Sequence, residues 1–126
     1  MNALTILVVD DEPLARWSVT ETLQESGYGV VEASDAESAL RAISVPGSSA
    51  DLVLLDLNLP DSNDLRLLSA MHALRPATPI ILMTAHGTDE LFEEARQRGA
   101  FASVHKPFEM SDLSPLVAKA LAASVH

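Results

Sequence analysis

Five short runs of aliphatic and β-branched residues alternate with five stretches of helical periodicity, and nothing else in the chain restricts its fold as much. The runs lie at Thr5–Val9, Gly29–Glu32, Leu52–Leu55, Ile80–Met83 and Phe101–Val104, the composition and length of strands. Three of them contain unbroken apolar segments, ILVV, LVLL and IILM. Such segments fit strands covered on both faces, as in a parallel sheet, so the first, third and fourth strands are expected at its centre. Among the helical stretches, Leu113, Leu116, Val117, Ala120 and Leu121 fall at i, i+3, i+4, i+7 and i+8, and Ala36, Ala39, Leu40 and Ile43 repeat the pattern in shorter form. Ser34 followed by Glu37 reads as a capping box opening the second helix, while Gly27 and Gly99 stand where the first and fourth helices should stop. The stretch Val45–Ala50 reads as a helix-to-strand loop.

Strand and helix alternating five times with right-handed crossovers predict a doubly wound α/β domain. This is a flavodoxin-like three-layer sandwich about a five-stranded parallel sheet in order 2-1-3-4-5, with five helices. The 126 residues suffice for one such unit, so positions 1–126 are read as a single domain. In sheets of this order ligands bind beyond the carboxyl ends of the strands, where the order reverses beside strands 1 and 3.

Charge and composition exclude several classes. Eighteen acidic against eight basic side chains give a formal charge of −10, so direct nucleic-acid binding by this domain is not expected, because phosphate neutralisation needs clustered Lys and Arg. The absence of cysteine removes thiol catalysis, disulfides and thiolate zinc sites. No run approaches the ~20 apolar residues of a membrane span, and the start MNALTILVVDD lacks a basic segment before its apolar stretch. No membrane association and a cytoplasmic location are therefore the expectation.

The residues that follow the strands carry the chemistry. Asp10 and Asp11 follow the first, Asp56 the third, Thr84 the fourth and Lys106 the fifth. Each alone has a bland explanation, since Asp after a strand commonly caps the next helix and Lys before Pro commonly lies on a solvated loop. Together they imply a crowd of carboxylates that destabilises the fold unless a cation or raised pKa values compensate. A carboxylate that accepts a phosphoryl group needs a hard cation and fixed donors for the charge on the transferring oxygens. Mg²⁺ prefers oxygen ligands and takes one or two carboxylates, here Asp11 and Asp56. Lys106 and the Thr84 hydroxyl are the candidates for the remaining phosphoryl oxygens.

The segments ILVVDDEP, DLVLLDLNLPD, PIILMTAHG and GAFASVHKPF resemble the signature segments of response-regulator receiver domains of bacterial two-component systems, over essentially the whole chain. Through Arg16-Trp17 and MTAHG it is most similar to receivers of nitrogen-regulation-type enhancer-binding transcription activators. The resemblance implies Asp56 as phosphoacceptor, Asp11 and the Asn58 backbone carbonyl as Mg²⁺ ligands, and Asp10 as an outer carboxylate acting through water. Thr84, Lys106 and the Ala85 backbone would contact the phosphoryl group, Asn58 and His86 would tune its loss, and the Lys106–Pro107 bond would be cis. It further implies a sensor histidine kinase as partner, and it permits an effector domain in a longer parent chain and a phosphorylation-linked homodimer. The domain would be a switch rather than an enzyme, with at most self-phosphorylation and self-dephosphorylation.

Two positions depart from the family pattern. Ser103 stands where receivers usually carry an aromatic that swings inward when the Thr engages the phosphoryl group. Phe101 and His105 share its face of the strand by the two-residue period, and either is a substitute. Asp64 stands where Gly is usual, and Asp tolerates a left-handed backbone better than most residues. Asp61 and Asp64 also add local negative charge. His86 is read either as a surface loop residue or as a group acting on water near the site. His72, His105 and His126 lack ligand spacing and are read as structural or exposed. Trp17 is read as helix packing, and Met71, Met83 and Met110 as core filling.

Two other functions compete with the switch. A dehalogenase-type phosphohydrolase also places an Asp after a strand, but it expects a second Asp where this chain has Asn58. A degenerate receiver that only binds a protein partner is motivated by Ser103 and Asp64, and the complete set of phosphoacceptor residues argues against it.

Overall fold

The computed structural model describes residues 4–45 and 50–124. Its elements run β1 (Thr5–Val9), α1 (Pro13–Glu25), β2 (Gly29–Ala33), α2 (Ala36–Ser44), β3 (Ala50–Asp56), α3 (Arg66–Leu74), β4 (Ile80–Thr84), α4 (Asp89–Gln97), β5 (Ala102–His105) and α5 (Met110–Ser124). The five strands form one sheet in the order β2-β1-β3-β4-β5, every pairing parallel, as the alternation predicts.

The apolar runs are continuous because each central strand feeds two cores. Ile6 and Val8, Leu52 and Leu54, and Ile81 and Met83 face Val19 and Leu23 of α1 and Leu113, Val117, Ala120 and Leu121 of α5. Leu7 and Val9, Val53 and Leu55, and Ile80 and Leu82 face the opposite layer, where α2, α3 and α4 supply Ala39, Ile43, Leu68, Met71 and Ala95. Burying an aliphatic side chain of this size contributes on the order of 1.5–3 kcal/mol relative to leaving it in water. The strand-end polar groups are thus mounted on the best-packed part of the molecule.

Local details differ from the sequence reading in instructive ways. The helix α2 begins one residue later than Ser34 and Glu37 indicated: Asp35 is the cap, accepting the Ser38 N–H at 2.7 Å, while the Ser38 hydroxyl receives the Asp35 N–H at 3.4 Å. Gly27 and Gly99 do adopt φ of +94° and +114° at the ends of α1 and α4. At Gly99 any Cβ would lie 2.4 Å from the His72 ring, so the turn is closed by packing as well as by backbone preference. Most of the expected Val45–Ala50 loop lies outside the described residues, and Ala50 already belongs to β3, paired with Thr5. Trp17 does not pack: it is 60% exposed, because the buried side of α1 is made by Val19, Thr20 and Leu23. Met71 and Met83 are core residues, whereas Met110 is half-buried at the edge of a cleft. No described helix is long and apolar enough to cross a membrane.

Candidate functional site

The carboxyl ends of β1 and β3 are adjacent because Val9 pairs with Leu55, and this register brings the next residues of each strand face to face. Asp10 and Asp56 are 2% and 5% exposed, and Asp11 stands at the mouth of the site. Oxygen atoms from all three carboxylates lie within 4.8 Å of one another. From the far side, Lys106 reaches back across β4. Its ammonium donates to Asp10 Oδ2 at 2.8 Å and to Asp56 Oδ2 at 3.2 Å. Backbone bonding places it there, since the Lys106 N–H donates to the Thr84 carbonyl at 2.8 Å and Thr84 pairs with His105. The Lys106–Pro107 peptide bond is cis.

The electrostatics follow from burial. Burial pushes the Asp56 carboxyl above its usual range, with the neighbouring Asp10 acting in the same direction. The Asn58 N–H, 3.1 Å from Oδ1, and the Lys106 ammonium oppose that shift without cancelling it. For Lys106, burial alone would disfavour the charged form, but the hydrogen bond to Asp10 and the fields of Asp56 and Asp10 outweigh it and hold its pKa above the ordinary value. Two of the three carboxylates, Asp10 and Asp56, therefore share one ammonium with Asp11 close by, which leaves an excess of negative charge lined with hard oxygen donors. A divalent cation of the Mg²⁺ type matches that donor set.

An open cleft of about 620 Å³ leads to these groups. Asp11, Asp56, Asn58, Ala85 and Lys106 line its floor, and Phe108 with α1 residues such as Ala15 forms an apolar wall. Thr84 is fully buried beside it; its hydroxyl accepts the His86 N–H at 3.1 Å, which leaves its own proton to donate. His86 itself is exposed on the loop that follows. Asp10, Asp11, Asp56, Asn58, Ala85 and Lys106 are thus all at one place, with Thr84 at its edge.

Other expected residues fall elsewhere. Phe101 is at the opposite end of the sheet, where its N–H donates to the Ile80 carbonyl at 2.8 Å, and it does not approach Thr84. Ser103 is half-buried and pairs with Leu82, midway along β5. His105 is exposed and stacks on Phe92 of α4, with ring centroids 4.8 Å apart. Phe92 also lies over Gly87, where a Cβ would come within 2.3 Å of its ring and 3.1 Å of Thr84 Cγ2. Of the two β5 candidates, His105 is thus the one beside Thr84, and its aromatic neighbour Phe92 comes from α4, which sequence spacing along β5 did not reveal. Asp64 has no left-handed backbone, since no non-glycine residue among those described has positive φ. It accepts the Arg66 N–H and Nε–H, both at 2.9 Å, at the start of α3. His126 lies outside the described residues.

Arg16 had entered only as a mark of resemblance, and the structure gives it a place. Its Nη1 donates to the Asp10 carbonyl at 2.7 Å and its Nε to Glu32 at 2.9 Å, which ties α1 to the ends of β1 and β2. One helical turn after Glu12, a long cation in the first turns of α1 was the available signal, but its direction depends on how the helix lies on the sheet.

Comparison with known proteins gives a consistent picture. The family model described as the response regulator receiver domain matches residues 6–118. The chain is 34% identical over 122 residues to the DNA-binding transcriptional regulator NtrC of Rhizobium meliloti (strain 1021), covering 97% of this chain and 25% of that protein. It is 36% identical over 113 residues to the transcriptional regulatory protein PdtaR of Mycobacterium tuberculosis (strain ATCC 25618 / H37Rv), covering 89% of this chain and 54% of that one. The crystal structure of the receiver domain of NtrX from Brucella abortus superposes with a TM-score of 0.83 at 36% identity, covering 92% of this chain and 97% of that chain. A CheY-like receiver domain protein from Methanospirillum hungatei JF-1 gives 0.91 at 30% identity, covering 98% and 97%. The chain thus spans between a quarter and about half of the length of these curated relatives.

Proposed function

This chain belongs to the response regulator receiver domain family, and on that premise we propose that it is a phosphoacceptor switch in which Asp56 takes a phosphoryl group from a partner sensor histidine kinase. The observation that carries this reading is the convergence of Asp10, Asp11 and Asp56 at the floor of an open cleft, where the Lys106 ammonium bridges Asp10 and Asp56.

A carboxylate oxygen of Asp56 attacks the phosphorus of a phosphohistidine. The new O–P bond forms as the P–N bond breaks, and the imidazole nitrogen leaves with the electron pair and takes a proton from solvent. Asp11, Asp56 and the Asn58 backbone carbonyl would hold Mg²⁺ directly and Asp10 through water, and the bound cation supplies positive charge against the phosphoryl oxygens. Lys106 exchanges its bond to Asp56 for one to a phosphoryl oxygen. The Thr84 hydroxyl and the Ala85 backbone N–H bind others. Asn58, whose N–H bonds the acceptor, and His86 on the loop after Thr84 govern how readily water removes the group, and the chemistry of the domain is limited to self-phosphorylation and self-dephosphorylation.

The switch acts by population shift: contacts of Thr84 and Lys106 that are better in one arrangement of α4 and β5 favour that arrangement. With Ser103 in the usual aromatic place and Phe101 at the far end, the tilted Phe92–His105 contact links α4 to the β5 residue that pairs with Thr84. The relatives named as DNA-binding and transcriptional regulators are longer than this chain, which supports an output through an effector domain of a longer parent chain that controls transcription in the cytoplasm. DNA contact belongs to that domain, and phosphorylation-linked pairing of receivers is compatible with the role.

Intact mass after incubation with acetyl phosphate and Mg²⁺ tests the reading. One added phosphoryl group is expected, lost in Asp56→Asn and in the presence of a chelator. No uptake by folded wild-type protein would remove the phosphoacceptor reading and leave a partner-binding domain.

A further inference from the structure

We propose that Asp61 is a positioning residue for the metal-binding segment, which it anchors by capping α2 from outside that helix. This rests on the reading that Asp56 and the Asn58 carbonyl hold Mg²⁺.

A helix begins with backbone N–H groups that have no partner within it. In α2 the residue before the helix does the ordinary work, since Asp35 accepts the Ser38 N–H at 2.7 Å. The two preceding donors go elsewhere. Asp61 Oδ1 accepts the Ala36 N–H at 2.8 Å and Oδ2 accepts the Glu37 N–H at 3.1 Å, from a position beyond the whole of β3. One carboxylate thus takes two successive donors at the positive end of the helix, where a negative group is favoured.

Asp61 lies in the segment between Asp56 and α3, which is held at several other points. The Leu57 N–H donates to the Met83 carbonyl at 2.9 Å, and the Asn58 N–H to Asp56 Oδ1 at 3.1 Å. Leu59 and Ser62 exchange backbone bonds at 2.9 and 3.3 Å, which closes a tight turn with Asp61 inside it. The Leu59 side chain is buried in the core. Those contacts fix the two ends of the turn, and Asp61 fixes its tip. The residue is itself exposed, so packing does not account for its place. Holding the tip holds the peptide plane of Asn58, three residues earlier. Coupling between two sites is reciprocal, so a cation that orders Asn58 must also tighten the cap at Ala36 and Glu37.

The experiment uses the full chain as wild type, Asp61→Ala, Asp61→Asn and Asp35→Ala. Mg²⁺ affinity is measured by calorimetry, and amide exchange at Ala36 and Glu37 with and without Mg²⁺. Asp61→Ala should bind Mg²⁺ about 5-fold more weakly, near the low end of ordinary coupling between sites. Asp61→Asn, which keeps an acceptor oxygen but no charge, should fall between it and wild type. Asp35→Ala, which weakens the same helix start without touching the loop, should bind as wild type does. Mg²⁺ should slow exchange at Ala36 and Glu37 in wild type and not in Asp61→Ala. Equal weakening by Asp35→Ala would make Asp61 a helix cap only, and equal weakening by Ala and Asn at position 61 would make it a remote charge only. Unchanged affinity in Asp61→Ala overturns the proposal while leaving the site reading intact. Failure of folded wild type to bind Mg²⁺ overturns the site reading itself, and this proposal with it.

Discussion

Two sets of aspartates sit at the same end of the sheet and behave in opposite ways. Asp10, Asp11 and Asp56 point toward one another, and the buried pair among them shares one ammonium. Asp35, Asp61 and Asp64 each accept backbone N–H groups at the start of a helix. Burial raises the pKa of Asp56, whereas hydrogen bonds from Ser38 lower that of Asp35, and those from Arg66, its backbone N–H foremost, lower that of Asp64. The same side chain is therefore an electrostatic liability at the strand ends and a stabiliser a few residues away.

The comparison breaks most completely at Asp56. Replacing it with Asn should abolish phosphoryl uptake from acetyl phosphate, while Asp35→Asn should leave uptake unchanged; uptake by both variants, read by intact mass, would end the distinction between the sets. Next in size is Lys106→Met, which leaves buried Asp10 and Asp56 without their cation. In chelator it should lower unfolding stability by about 2 kcal/mol, at the modest end for a broken buried pair because Lys106 is 20% exposed. Added Mg²⁺ should restore most of the loss in urea melts. Full stability without Mg²⁺ would show that the acids share protons instead.

Asp56→Asn should itself stabilise the chelated protein at neutral pH, by on the order of 1 kcal/mol. The sign follows from linkage. The native carboxyl keeps its proton to higher pH than the unfolded chain does, so ionisation destabilises the fold above the raised pKa and has no effect well below the ordinary carboxyl value. The advantage of Asn should therefore shrink as pH falls toward that value. Asp35 should show the reverse dependence: its folded pKa is lowered, so its contribution is present at neutral pH and lost as pH falls through that lowered value. Asp35→Ala should lower Tm by about 5 °C at pH 7. The smallest effect is expected for Asp64→Ala, with Tm within about 2 °C of wild type, because its Arg66 partner is solvent-exposed. A larger drop there would place Asp64 among the anchors of the loop.

Some of this was readable one residue at a time. The five apolar runs fixed the strands to within a residue or two, since a strand buried on both faces must be apolar throughout and a helix must repeat its apolar positions. β2, β3, β4 and β5 each end one residue later than expected, and β3 begins two earlier, because pairing with Thr5 extends it to Ala50. The cap of α2 moved from Ser34 to Asp35 because neighbouring cap-forming side chains look alike in sequence and only the direction of the chain at the helix start selects one. Trp17 was misplaced because a helix with polar residues on most of its surface does not reveal which side meets the sheet.

The sequence by itself determined the alternation of strand and helix, hence the sheet order, and it placed Asp10, Asp11, Asp56, Thr84 and Lys106 at strand ends, because those properties depend on residue type and local spacing. Tertiary structure alone decided that Lys106 bridges Asp10 and Asp56, that Arg16 reaches the Asp10 carbonyl, that Asp61 caps a helix on the other side of β3, and that Phe92 of α4 meets His105, the β5 residue paired with Thr84. Apart from the short reaches of Arg16 and Phe92, these contacts join elements distant along the chain. Their geometry is set by how the helices lie on the sheet, and the identity of any single residue carries no record of that arrangement.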